Sequence, residues 1–126
     1  MSDKYKEWLA QADYDMDTAE AMYSSGRYCY AVFMCHLCLE KALKGLYQYN
    51  LGVVPPKTHN LLYLIGKVGK SPDQELERFM TRLNTAGVVT RYPDDLAKIQ
   101  ATFTEVVTKD IILRTKEGLK WIKAQF

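Results

Sequence analysis

The chain has 126 residues, of which 48% are hydrophobic and 25% charged, and its formal net charge is +2. That length fits one domain, 1–126, with room for a real core, and the composition is that of an ordinary soluble globule. The near balance of charge excludes a strong electrostatic pull toward nucleic acid or membrane, the polar start gives no signal peptide, and no apolar run reaches the roughly 20 residues that span a bilayer.

The first predicted helix covers residues 3–24, with Ser2 or Asp3 as its cap. Trp8, Leu9, Ala12, Met16, Ala19 and Tyr23 form its apolar row, and Ser24-Ser25-Gly26 ends it with Gly26 near the C-cap. So short a break makes the next helix an antiparallel neighbour. That second helix, Tyr28 to Tyr49, is apolar nearly all round. Ala31, Cys35, Leu39, Ala42 and Leu46 make one row and Val32, Cys38 and Leu43 another, while Tyr30, Phe33, Met34 and Leu37 cover much of the rest. Such a helix is central, or is shared with a second subunit. His36, Glu40 and Lys44 stand four apart and share its one polar edge, which predicts ion pairing along that edge. The three cysteines at 29, 35 and 38 all lie on this helix. An odd count on one helix argues for a reducing, cytoplasmic location over a disulfide framework. Cys35 and Cys38 share a face but His36 points elsewhere and no second ligand pair follows, so buried thiols are expected and no metal.

Asn50 and Gly52 stop the second helix, and Val53-Val54-Pro55-Pro56 must be extended. A short third helix, capped near Thr58, carries Leu61, Leu62, Leu64, Ile65 and Val68, weakened by Gly66 and Gly69. Ser71-Pro72-Asp73 opens a fourth, with Pro72 near its first position and Leu76, Phe79, Met80, Leu83, Ala86 and Val89 or Thr90 as its face. Arg91-Tyr92-Pro93-Asp94-Asp95 interrupts the helical pattern, because Pro93 pushes Tyr92 out of helical geometry. The last helix opens at Asp94 or Asp95 and runs on through Ile99, Phe103, Val106, Val107, Ile111, Leu113 or Arg114, Leu119 and Ile122. The predicted architecture is all-α: an antiparallel up-down four-helix bundle with a short additional helix. The first helix is acidic (Asp13, Asp15, Asp17, Glu20) and the last basic (Lys109, Arg114, Lys116, Lys120, Lys123), so they attract if they lie side by side, by a few tenths of a kcal/mol per exposed pair.

Four stretches together resemble a known family. They are Ala12-Asp13 with Asp17-Thr18-Ala19 on the first helix; Gly26-Arg27-Tyr28 leading to Cys38-Leu39-Glu40-Lys41-Ala42-Leu43-Lys44; Pro56-Lys57-Thr58-His59-Asn60-Leu61; and Arg91-Tyr92-Pro93-Asp94. In this order and at these spacings the chain resembles a HEPN domain over nearly its whole length. The resemblance implies an antiparallel four-helix bundle that forms a homodimer. It also implies a minimal nucleotidyltransferase as operon partner, in a toxin–antitoxin or related arrangement, with nucleotide or RNA as ligand. Catalytic members cut RNA without metal, using an Arg and a His separated by four to six residues. The Arg grips phosphate through bidentate hydrogen bonds and the His moves protons.

Here the Arg matches and the His does not. At the permitted spacings from Arg91 stand Leu96, Ala97 and Lys98, and the only histidines are His36 and His59. No catalytic residue is therefore assigned, and no cofactor. The expectation is a non-catalytic binding module with Arg91, Tyr92, Asp94, Glu40, Lys44 and His59 as candidate ligand or partner contacts. The alternatives are a metal-independent endoribonuclease using Arg91 with His59, and a purely structural dimerisation protein. Against a ligand role, Arg91 would pair with Glu40 or an acid of the first helix, Tyr92 would fill a core gap, Asp94 or Asp95 would be a cap, and Lys41 and Lys44 would lie along a solvated edge. His59 would cap or fix the loop beside the third helix.

Overall fold

The computed structural model describes residues 3–126, so Ser2, one of the two suggested caps, lies outside the described residues. Within them, six helices follow in order: α1 Lys4–Ser24, α2 Tyr28–Leu51, α3 Leu61–Lys67, α4 Gln74–Arg91, α5 Leu96–Thr102 and α6 Glu105–Lys123. No strand occurs among the described residues.

Helix α2 is the core of the molecule and packs against each of the other five. Its periodicity explains why. Ala31, Val32, Cys35, Cys38, Leu39, Ala42, Leu43 and Leu46 are all fully buried, and they project from several sides of one rod. The chain's own helices cover most of it, so the excess of apolar surface that suggested a shared helix is largely satisfied internally. Tyr30 is the main exception and is exposed.

Helix α1 lies against α2 along its length. Trp8 Nε1 near the start of α1 donates to Gln48 Oε1 at 2.9 Å near the end of α2, and the Tyr23 and Tyr28 rings meet at the junction, 5.6 Å apart. The turn between them is a Schellman closure. Gly26 takes φ +75°, its N–H reaches the Tyr23 carbonyl at 3.1 Å, and the Arg27 N–H reaches the Met22 carbonyl at 2.8 Å. The predicted attraction between acidic α1 and basic α6 is realised, with Lys123 on Asp13 at 2.6 Å and Lys116 on Glu20. Asp15, from the same acidic set, is buried and pairs with Lys41 at 3.0 Å. Lys41 therefore does not lie on a solvated edge.

Two expectations about helix ends are corrected. The cap of α3 is Asn60, whose Oδ1 accepts from the Leu62 and Tyr63 N–H groups; Thr58 instead accepts from the Asn60 N–H through its own hydroxyl. The carboxamide reaches the free amides of the first turn better than a hydroxyl two residues earlier. The last helix is also not continuous. It breaks at Phe103, buried with φ −101° and ψ 77°, and restarts with Thr104 accepting from the Val107 N–H at 3.3 Å. A threonine that can bond its own backbone favours a helix start over a helix interior. The described residues thus form two short helices besides the four long ones.

The break resets the phase of α6. Its buried face is Thr108, Ile111, Ile112, Thr115, Gly118, Leu119 and Ile122, while Val106 and Val107, expected inside, are exposed, as is Leu113, one of the two residues named for its position. On α4 the ambiguity between Val89 and Thr90 resolves to Thr90, which is buried with its hydroxyl donating to the Ala86 carbonyl at 2.8 Å.

Candidate functional site: a buried carboxylate with three basic neighbours

The polar edge of α2 is turned inward. His36, Glu40 and Lys44 are 2%, 4% and 8% exposed. Lys44 Nζ donates to Glu40 Oε2 at 3.1 Å. An ion pair along the edge was expected; its burial was not. The physical reason is that α3 and α4 close over this side of α2. A long lysine stem can lie along apolar surface while its ammonium seeks the one carboxylate within reach.

Glu40 has a second hydrogen bond. His59, from the loop before α3, donates from Nδ1 to Glu40 Oε1 at 2.8 Å. The His59 side chain is 55% exposed whereas that of Glu40 is only 5% exposed. A carboxylate can only accept, so Nδ1 carries hydrogen, and Nε2 is the ring nitrogen turned away from Glu40. His59 does fix the loop beside α3, and it does so through Glu40.

The tautomer of His36 follows from a neighbour the sequence did not flag. Asn84 Oδ1 accepts from the Leu61 N–H at 3.0 Å, and Asn84 Nδ2 donates to Asn60 Oδ1 at 2.9 Å, so the orientation of this amide is determined. His36 Nε2, 3.4 Å from the same Oδ1, must be the donor. Nδ1 then has no hydrogen-bond partner, with Glu40 Oε1 4.0 Å away. Burial pushes the His36 pKa below its ordinary 6.5; the Arg91 charge adds to this, and Glu40 and Asn84 oppose it. The ring sits hard against α4. A Cβ on Gly87 would lie 2.6 Å from His36 Cγ, so only glycine fits there. A glycine in the middle of a helix costs about 1 kcal/mol relative to alanine. That cost is the one signal in the sequence that could have pointed to a close approach at this spot.

Arg91 ends α4 without the carboxylate expected for it. It makes no ion pair with Glu40 or with α1; its guanidinium carbon lies 4.9 Å from the centre of the Phe33 ring, and its Nη2 is buried with no hydrogen-bond partner. A guanidinium stacked on an aromatic face keeps its in-plane N–H groups available. Tyr92 does not fill a core gap: it is 74% exposed. The proline that follows it ends the helix just where Tyr92 would otherwise have turned inward. Asp94 is exposed as well, and the cap of α5 is Asp95, which accepts from the Lys98 N–H at 3.2 Å.

The structure thus brings Glu40, Lys44 and His59 into one hydrogen-bonded cluster, with His36 and Arg91 beside it. Tyr92 and Asp94 lie outside that cluster, at the surface. Asn84, Asn60, Gly87 and Phe33 belong to the surroundings of the site; Asn84 and Gly87 were not singled out from sequence, and Asn60 and Phe33 were named there without a role at the site. Among the described residues no group of His, Cys, Asp and Glu is arranged to hold a metal ion. The cysteines are buried and free, with Cys35 pushed up to about 12 by burial, which makes it an inert thiol at neutral pH. Among the described residues no helix is long and apolar enough to cross a membrane.

An all-helical protein organised around one buried rod, with an ionic cluster at the contact of its second and fourth helices, defines the class. The chain belongs to the HEPN domain family, whose model matches residues 5–125. Its fold is similar to that of TT1696 from Thermus thermophilus, with a TM-score of 0.86, 21% identity, and coverage of 99% of this chain and 100% of that one. It is also similar to ST0689, described as an archaeal HEPN homologue, with a TM-score of 0.76, 28% identity and 96% of each chain covered. No curated protein matches the chain.

Proposed function

We propose that this chain is a non-catalytic HEPN binding module, a cytoplasmic homodimer built on an up-down four-helix bundle. It would work with a separately encoded minimal nucleotidyltransferase, in a toxin–antitoxin-like system, and bind the phosphate of a nucleotide or RNA at Arg91. The observation that carries it is the Arg91 guanidinium, stacked on Phe33 with a buried Nη2 that has no hydrogen-bond partner among the described residues. An unsatisfied buried donor on a fixed cation favours an anion, and a phosphate oxygen would supply the missing acceptor. Lys44 leaves the cluster around Glu40 with no excess negative charge to repel such a ligand. The antiparallel sense is supported by pairings whose order runs in opposite directions: Trp8 near the start of α1 with Gln48 near the end of α2, Asp13 and Glu20 of α1 with Lys123 and Lys116 of α6, and Glu75 and Arg82 of α4 with Arg114 and Asp110 of α6.

The test is titration of labelled RNA and of nucleotides into wild type and Arg91→Ala, with co-purification alongside the nucleotidyltransferase encoded next to it. Binding that the substitution weakens about tenfold or more supports the reading. Equal binding by both proteins, or none, together with no co-elution, overturns it.

One observation favours a second reading, a metal-independent endoribonuclease. His59 is accessible, and its Nδ1 is held by a buried carboxylate, the arrangement that prepares an imidazole as general base. Cleavage of RNA by the wild type that is lost in both His59→Ala and Arg91→Ala would select this reading. If neither phosphate nor partner binds and no RNA is cut, a purely structural dimerisation protein is left.

A further inference from the structure

The charge balance of the whole chain conceals a segregation. Of its 15 acidic residues none falls between positions 41 and 72, a stretch that carries lysines at 41, 44, 57, 67 and 70. Lys41 and Lys44 are engaged inside by Asp15 and Glu40. Lys57, Lys67 and Lys70 have no ion pair among the described residues. Beside them the same stretch leaves Tyr49, Leu51, Val53, Val54 and Tyr63 exposed. An exposed apolar set rimmed by charge of one sign marks a contact surface.

The way α2 ends keeps these side chains outside. Gly52 takes φ +69° and closes the helix with its N–H on the Gln48 carbonyl at 2.9 Å. After such a cap the next apolar residue commonly folds back on the last turn. Val53 does not, and Val54 is 79% exposed. Pro55, which is buried, pins the chain directly after them, so the two valines stand on a short loop held at both ends. On α3, Leu61, Leu64 and Ile65 are buried, which leaves Tyr63 and Lys67, four apart, on the outward face. Lys67 Nζ lies 5.5 Å from the centre of the Tyr63 ring.

We infer that the acid-free face formed by the end of α2, the following loop and α3 docks on the surface of a bilayer that contains anionic lipid. Its three kinds of group match three depths of such a surface. Aliphatic tips enter the boundary of the acyl chains, phenols lie at headgroup level, and ammonium groups meet the lipid phosphates. Nucleic acid would use the lysines and tyrosines but offers nothing to Leu51, Val53 and Val54, because a base stacks on an aromatic ring and not on an aliphatic tip. The contact is peripheral and reversible: a few valines or a few lysines hold poorly by themselves, and firm attachment takes both. It uses none of the residues that carry the phosphate reading at Arg91.

Co-sedimentation of the full chain with vesicles tests this, with circular dichroism showing that each variant is folded; all the substituted positions are exposed. Vesicles of phosphatidylcholine with about one-third phosphatidylglycerol are expected to bind the wild type at least about tenfold more tightly than vesicles of phosphatidylcholine alone. Lys57→Ala/Lys67→Ala weakens that binding about 25-fold, roughly fivefold for each ammonium removed. Val53→Ser/Val54→Ser leaves the charge unchanged and weakens it about tenfold. Lys98→Ala/Lys109→Ala removes the same charge from α5 and α6 and stays within about twofold of wild type. A wild type that remains in the supernatant with the anionic vesicles overturns the inference. A loss in the Lys98/Lys109 variant equal to that in the Lys57/Lys67 variant also overturns it, because net charge and not this face would then be responsible. Binding indifferent to the valine pair overturns docking on lipid and leaves a surface for soluble polyanions such as RNA.

Discussion

At the scale of single residues, the contact between Gly87 and His36 leaves less room for a side chain than any other glycine position among the described residues. Alanine at 87 would set a methyl 2.6 Å from the imidazole, and overpacking of this kind costs about 1–3 kcal/mol. Urea denaturation of Gly87→Ala is expected to show that loss. In the double variant Gly87→Ala/His36→Ala most of the clash is absent, so the two changes should couple strongly rather than add. His36 also sets a pH dependence. Its folded-state pKa is lowered from 6.5 by burial, so the unfolded chain binds the proton more readily. The stability that depends on a neutral His36 is complete above about pH 6.5 and is lost as the pH falls below it toward the depressed folded value. Thermal melts from neutral to about pH 5 should fall for the wild type and flatten for His36→Gln; parallel curves would contradict the assignment.

Among the elements, α3 is the one held most by side chains. It has only seven residues, too few to be stable alone, and its first turn is held by Asn60 and Asn84 together. Asn60→Ala removes both the cap and the acceptor for Asn84 Nδ2. The cap alone is worth about 1 kcal/mol. Hydrogen exchange in residues 61–67 is therefore expected to speed up well beyond that in α1 and α2. Sequence located this helix by its leucines and by the break before it. The exact capping residue was not legible, because Thr58 and Asn60 are both capable acceptors and only the docking on α4 selects between them. The same holds for the end of the chain: periodicity across residues 95–123 reads as one helix, and only the burial of Phe103 shows where it turns.

For the molecule as a whole, the opposed charges of α1 and α6 orient the bundle more than they stabilise it. Lys123–Asp13 and Lys116–Glu20 are about half exposed, so each contributes a few tenths to 1 kcal/mol. Asp13→Asn should lower the unfolding free energy by no more than about 1 kcal/mol, and raising the salt should shrink the difference. A larger loss would mean that the pair is desolvated in the assembled protein. The buried pair Lys44–Glu40 is different in kind: removing one partner strands a charge inside the protein.

What the sequence determined by itself was the class of the molecule. The all-α content, the central position of residues 28–49, the acid–base match of the first and last helices and the family all follow from periodicity, composition and short motifs, which are local properties. What only the tertiary structure decided was the surroundings of each polar group. Whether Lys44 is buried, whether Arg91 has a carboxylate, whether Tyr92 turns in, and which nitrogen of His36 carries hydrogen all depend on residues distant in the chain. Helical spacing fixes the face on which a side chain lies, but a neighbouring helix must close over that face before its desolvation and partners are defined.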